Sequence, residues 1–295
     1  MTRKTVLDFH PQVLKLFDEY VHGLIPRREF LKRAANYAAA GVAAEGLLEL
    51  LNPRFAEAQQ VEPNDERLET SRIVIPSTQG HGSVNAYLAR PSASAVSRPV
   101  VLVVHENRGL NPHIEDIARR LALAGFIAVA PDALSSLGGY PGDEDQARTL
   151  FQKLDQQKCR HDFLAAVSYL EKLPGGNRKV GVVGFCYGGA IANFLATQVP
   201  TLAAAVPFYG GQAPSADAAR IKSPIQLHFA ENDERVNAGW PEYEVALKVA
   251  GVRYEAHTYS GTQHGFNNDT TPRYDAAAAA LAWQRTVDFL AKELA

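Results

Sequence analysis

Cysteine is scarce in this chain: two in 295 residues, Cys159 and Cys186. A disulfide scaffold is excluded if Cys186 is a working thiol, because Cys159 then has no partner. No C-x-x-C or H-x-x-x-H pairing occurs, so there is no short-range metal site and no dithiol redox motif. No metal and no cofactor are expected. Charge of one sign is also missing. With 30 Lys and Arg against 32 Asp and Glu, the formal net charge is −2, and no basic field points to nucleic acid. No stretch of about 18 apolar residues is free of charge, so no membrane-spanning helix is expected. There is no internal repeat. What remains is an ordinary globular composition, 46% hydrophobic and 21% charged, on a chain long enough for one large domain or two small ones.

The N-terminal 58 residues stand apart. Pro26-Arg27-Arg28-Glu29-Phe30-Leu31-Lys32 resembles the twin-arginine export motif. An Ala-rich stretch follows to about Leu51, then Ala56-Glu57-Ala58, an A-x-A of the kind that signal peptidase cuts. Export to the periplasm is the expectation. Glu45 and Glu49 inside the apolar stretch, and Pro26 where Ser or Thr is usual, favour the alternative of a retained helical extension on a cytoplasmic protein. Leu24, Leu31, Ala35, Ala38 and Val42 would then form its apolar face. Residues 59–70 are polar, contain a proline and read as a linker.

From residue 71 to 295, strand-like and helix-like patterns alternate. The strand candidates are Arg72–Ile75, Val84–Leu88, Val100–His105, Ile127–Ala130, Lys179–Phe185, Ala204–Phe208, Ile225–Ala230 and Tyr254–Tyr259. Helices are predicted over His113–Ala124, Asp143–Lys172, Gly188–Gln198, Trp240–Ala250 and Tyr274–Leu294. Val100–Val104 and Val180–Val183 are almost continuously apolar, as central parallel strands covered on both faces are. The pattern predicts an α/β fold, a mostly parallel sheet of about eight strands with helices on both faces.

The most informative stretch is Gly184-Phe185-Cys186-Tyr187-Gly188-Gly189, where a β-branched run meets an Ala-rich helical pattern. A strand–elbow–helix of this kind lifts the central side chain to a helix N-terminus, beside N–H groups without intrahelical partners. Catalytic groups in such sheets gather at the carboxyl ends of strands. Glu106 follows the third candidate strand, Asp233 the seventh and His264 the eighth. Nucleophile, acid, histidine is the chain order of α/β-hydrolases. A thiolate would attack, His264 would serve as acid and base, and Asp233 would orient it. The backbone N–H groups of Tyr187 and Asn107 are the expected oxyanion hole. A nearby Glu106 carboxylate would keep the resting thiol neutral. Asp132 is expected to organise the loop after the fourth strand, and His105 and His228 to be satisfied core histidines.

From Arg72 to the C-terminus the chain resembles the dienelactone hydrolase family, through G-F-C-Y-G-G and a Glu on the strand-three loop. The resemblance implies an α/β-hydrolase fold and a Cys186–His264–Asp233 triad that opens lactones or esters through a thioester. It implies that Glu106 receives the thiol proton. Family members for carboxylated dienelactones carry an arginine four residues after the catalytic histidine; here that residue is Asn268. Arg108, Arg148 and Arg273 could supply a substrate-binding guanidinium instead. The expected partner is a small lactone or ester, anionic or neutral. The competing readings are a non-catalytic small-molecule binding protein that kept the pocket and a thiol redox role.

Overall fold

A computed structural model describes residues 4–37, 43–92 and 96–295. Eight strands form one sheet: β1 Leu68–Ser77, β2 Gly82–Pro91, β3 Arg98–Val104, β4 Ile127–Pro131, β5 Gly176–Phe185, β6 Ala204–Phe208, β7 Ile225–Asn232 and β8 Tyr254–Gln263. Their spatial order is β1-β2-β4-β3-β5-β6-β7-β8. β1 pairs antiparallel with β2, and β2 antiparallel with β4; every later pairing is parallel. All five residues of Val100–Val104 are fully buried, as their unbroken apolar run requires at the sheet centre.

The helices are α1 Pro11–Val21, α2 Arg27–Ala34, α3 Ala44–Leu51, α4 Phe55–Ala58, α5 Pro112–Leu123, α6 Glu144–Phe151, α7 Gln156–Leu170, α8 Tyr187–Gln198, α9 Glu234–Asn237, α10 Trp240–Val249 and α11 Ala276–Leu294. One face of the sheet packs on α5 and α11 and the other on α7, α8 and α10, each burying its own apolar cluster. The single helix predicted over Asp143–Lys172 is two helices, α6 and α7. Asp155 starts the second by accepting from the N–H groups of Gln157 and Lys158, a cap that offers the backbone an alternative to continuing the first helix.

The N-terminal segment has a small core of its own, in which Val13, Phe17, Tyr20, Phe30, Leu48 and Leu51 are buried. Its buried face matches the predicted one only in part: Leu31 is half-buried against this core. Leu24 lies in the turn between α1 and α2 and is 64% exposed, and Ala35 is exposed as well. Ala38 and Val42 lie outside the described residues. The apolar stripe that counts is on α1, where Val13, Phe17 and Tyr20 recur at helical spacing. Arg27 of the twin-arginine stretch pairs with Asp145, and Phe30 is wholly buried against Phe17 and Tyr20.

The stretch read as a linker is bound to the domain, and β1 already begins at Leu68. Asp116 on α5 accepts from the backbone N–H groups of Gln60 and Val61 and pairs with Arg119 and Arg120. Asp269 joins the same network through Arg120, His113 and the Gln60 amide. Buried charges are tolerable here because each has several partners.

Candidate active site

Cys186 is the residue between β5 and α8, with φ 55° and ψ −109°. A non-glycine residue at positive φ is strained, and such strain persists only where the surroundings enforce it. Here the enforcement is crowding. A Cβ on Gly188 would fall closer than 3.0 Å to the Val104 carbonyl, and one on Gly184 closer than 3.0 Å to the Gly188 carbonyl. The elbow therefore presses helix α8 against β3, and Sγ is turned toward the carboxyl edge of the sheet. Tyr187 is the first residue of α8, so its N–H has no intrahelical partner and faces the same end.

Asp233 follows β7 and His264 follows β8, as their strand positions predicted. His264 Nδ1 donates to Asp233 Oδ2 at 2.5 Å, and both residues are buried. His264, Cys186 and a third residue, His22, each bring a ring nitrogen or the sulfur to within 4.8 Å of the others. His22 was not among the expected site residues. It sits just beyond the C-terminal end of α1, with Nε2 3.3 Å from Cys186 Sγ and Nδ1 2.7 Å from the Asp18 carbonyl. The Asp18 carboxylate is 3.3 Å from the same Nδ1. Two Asp–His pairs thus converge on one thiol. Only the α1 stripe, ending Tyr20-Val21-His22, signalled this in the sequence, and an apolar stripe does not say what it covers.

Burial by itself would raise the Cys186 pKa, but the adjacent imidazoles of His264 and His22 outweigh it and hold the thiol at about 6. Burial would likewise lower His264, yet Cys186 and Asp233 together push it up to about 10. The direction for the thiol is opposite to the one expected from Glu106. Glu106, the group expected to oppose ionisation, accepts a 2.8 Å hydrogen bond from Asn268. The thiol has two imidazoles beside it instead. Alkylation of Cys186 should accordingly follow a midpoint near pH 6 and level off above it. A midpoint near the free-cysteine value of about 8.5 would contradict the ion pair.

All three arginines expected to meet substrate are engaged with the N-terminal segment. Arg108 donates to the Val21 carbonyl at 3.3 Å, joined there by the Asn107 side chain at 2.6 Å. Arg148 stacks on the Tyr20 ring, 3.9 Å from its centroid, and donates to its hydroxyl at 2.9 Å. Arg273 pairs with Asp18 at 3.4 Å and lies over Phe17. The space left beside Cys186 is about 40 Å³, lined by Phe17, Tyr20 and His22 opposite Glu106 and His264. That holds a few waters at most, so α1 is a cap across the site. Tyr20→Ala should loosen it, since truncating a buried aromatic typically costs about 3–5 kcal/mol. Iodoacetamide should then modify Cys186 about tenfold faster or more; an unchanged rate would show that α1 does not control access.

Asp132 accepts from the N–H groups of Leu110, Leu134 and Tyr140, and so fixes the loops beside the site. His105 accepts from the Ala133 N–H, and His228 contacts Tyr259 and Gln226. All three have the supporting places expected of them.

Comparison with known proteins agrees with the geometry. The model of the dienelactone hydrolase family matches residues 84–294, and one described as YqhI-like matches residues 1–39. A "Putative hydrolase fragment YghX" of Escherichia coli strain K12 is 54% identical over 112 residues, covering 38% of this chain and 96% of its own length. A "Putative carboxymethylenebutenolidase" of the same strain is 33% identical over 248 residues, covering 78% of this chain and 89% of its own. Among solved structures, a "Putative Dienelactone Hydrolase" from Klebsiella pneumoniae superposes with a TM-score of 0.67 at 27% identity, covering 76% of this chain and 98% of that one. The chain belongs to the dienelactone hydrolase family, and its fold is that of the α/β-hydrolases.

Proposed function

We propose that this hydrolase cleaves a small lactone or carboxylic ester through a cysteine acyl-enzyme. The observation that carries the reading is the strained Cys186 elbow facing a histidine that is itself held by a buried aspartate. The Cys186 thiolate attacks the carbonyl carbon, and the developing oxyanion is received by the N–H groups of Tyr187 and Asn107. Collapse breaks the C–O bond, and the imidazolium of His264 protonates the departing alkoxide. Neutral His264 then takes a proton from water, which attacks the thioester and releases the acid. Asp233 keeps Nδ1 protonated so that Nε2 faces the reacting atoms.

Substrate must displace the cap, because about 40 Å³ cannot admit a lactone ring. Moving α1 would release Arg273 from Asp18, while Arg108 stays beside Glu144 and Arg148 beside Asp145, so an anionic substrate would be met first by Arg273. With the thiol already ionised, Glu106 is left to anchor the Asn268 loop rather than to accept the thiol proton. A panel of neutral and anionic lactones and short-chain esters tests the reading. Turnover of at least one is expected. Intact recovery of every member beside a reduced Cys186 would favour the binding-protein alternative.

The burial of Phe30 and the engagement of residues 17–22 with the active site support reading residues 1–58 as a retained cap rather than an export signal. N-terminal sequencing of protein isolated from its own cells should find a start at residue 1 or 2. A start at Gln59 would establish cleavage after Ala58.

A further inference from the structure

We propose that His22, Cys186 and His264 form an inhibitory site for a borderline-soft divalent cation of the zinc type, assembled only when the N-terminal cap is closed. The donors are one ring nitrogen from each imidazole and one thiol sulfur, all within 4.8 Å of one another. A tetrahedral ion with bonds of about 2.1 Å to nitrogen and 2.3 Å to sulfur needs N···S separations of roughly 3.6 Å. His22 Nε2 already stands 3.3 Å from Sγ. His264 Nε2 is buried and has no hydrogen-bond partner, while Nδ1 is taken by Asp233.

The surroundings have the form that metal-bound histidines require. Each imidazole is held through its other nitrogen by an aspartate: His264 by the Asp233 carboxylate at 2.5 Å, His22 by the Asp18 carbonyl at 2.7 Å with the carboxylate close by. Such outer partners fix the ring and its tautomer. Arg235 touches His22 Nε2 at 3.0 Å with a side chain that is 42% exposed, so a cation entering the cluster competes with a guanidinium at the water boundary. The Asp18 and Asp233 carboxylates behind the two imidazoles favour that entry. The cavity of about 40 Å³ leaves room for a water in the fourth position. Nitrogen and sulfur donors select zinc or cadmium over magnesium or calcium.

No spacing rule could find these ligands, because residues 22, 186 and 264 come from the cap and from two separate loops of the domain. His22 lies outside residues 84–294 and within the residues 1–39 matched as YqhI-like, so the dienelactone hydrolase region alone does not carry the site. A bound ion would occupy the sulfur lone pair and tie the cap to the domain. The site stands independently of whether Cys186 attacks esters.

Calorimetric titration of zinc chloride into the reduced, chelator-treated full-length protein tests this, with cadmium as an ultraviolet probe of the sulfur–metal bond. One equivalent is expected, with a cadmium–thiolate band that is lost in Cys186→Ser. His22→Ala should weaken zinc about 100-fold, and Asp18→Asn about 10- to 100-fold. Arg235→Ala should bind more tightly than the wild type, a gain that a misfolded variant would not give. A saturable site unaffected by His22→Ala, a band that survives in Cys186→Ser, weaker binding in Arg235→Ala, or no saturable binding would each overturn the proposal. Survival in Cys186→Ser would move the ion to the His81–Cys159–Asp162 cluster.

Discussion

Cys186→Ala is expected to lower kcat on any ester that the wild type hydrolyses by at least about 10⁴-fold, with little change in thermal stability. The thiol is the one group at the elbow able to form a covalent bond, and the elbow geometry comes from the glycines rather than from sulfur. Removing Sγ therefore leaves Tyr187, His264 and Asp233 in place but without a nucleophile. Residual activity should come only from polarisation of the carbonyl. Cys186→Ser should recover little, because a hydroxyl beside these imidazoles is far less ionised than a thiol held at about 6. His264→Gln should lose a comparable amount, and the double variant little more, since the two act on one proton transfer. Wild-type turnover in Cys186→Ala would remove the basis of the proposed chemistry.

The largest stability effect is expected at Gly188. Any Cβ there falls closer than 3.0 Å to the carbonyls of Val104 and His105. These are backbone atoms leaving the central strand, paired on both sides, so they cannot move aside as a flexible side chain would. Gly188→Ala must push α8 away from β3, opening the packing of Ile191, Ala192 and Leu195. A cost of more than about 4 kcal/mol follows, in the range reserved for core overpacking combined with strain. Gly138→Ala is the internal control. Nothing lies within 4 Å of its Cβ position, and only its positive φ is unfavourable, so it should cost about 1 kcal/mol. Urea denaturation of the two variants separates close approach from conformational strain. Equal losses would mean that the elbow is not sterically forced.

The sheet was legible because its central strands are uninterrupted β-branched runs, and residues 179–185 lead directly into glycines. The triad candidates were legible for the same reason: each follows a readable strand. The break between α6 and α7 was hidden because no glycine or proline marks it; Asp155 ends one helix only by capping the next. The N-terminal segment was open to two readings, exported leader or helical extension, because its composition is compatible with both. Its arginines and alanines suit export, while Val13, Phe17 and Tyr20 suit packing. In the fold, long-range contacts join the segment to the domain, Arg148 on Tyr20 and Arg273 on Asp18. His22 became visible only through those contacts. The surroundings of the thiol were hidden for a related reason: Glu106 was counted by its place in the chain, and its hydrogen bond from Asn268 could not be read there.

The most direct test of the central claim is rapid-quench peptide mass mapping during turnover of an activated ester. The peptide containing Cys186 should carry the acyl group within the first turnover, as a thioester labile to hydroxylamine, and lose it at the steady-state rate. Acylation at another residue, or steady hydrolysis with Cys186 unmodified throughout, would contradict the acyl-enzyme at its root.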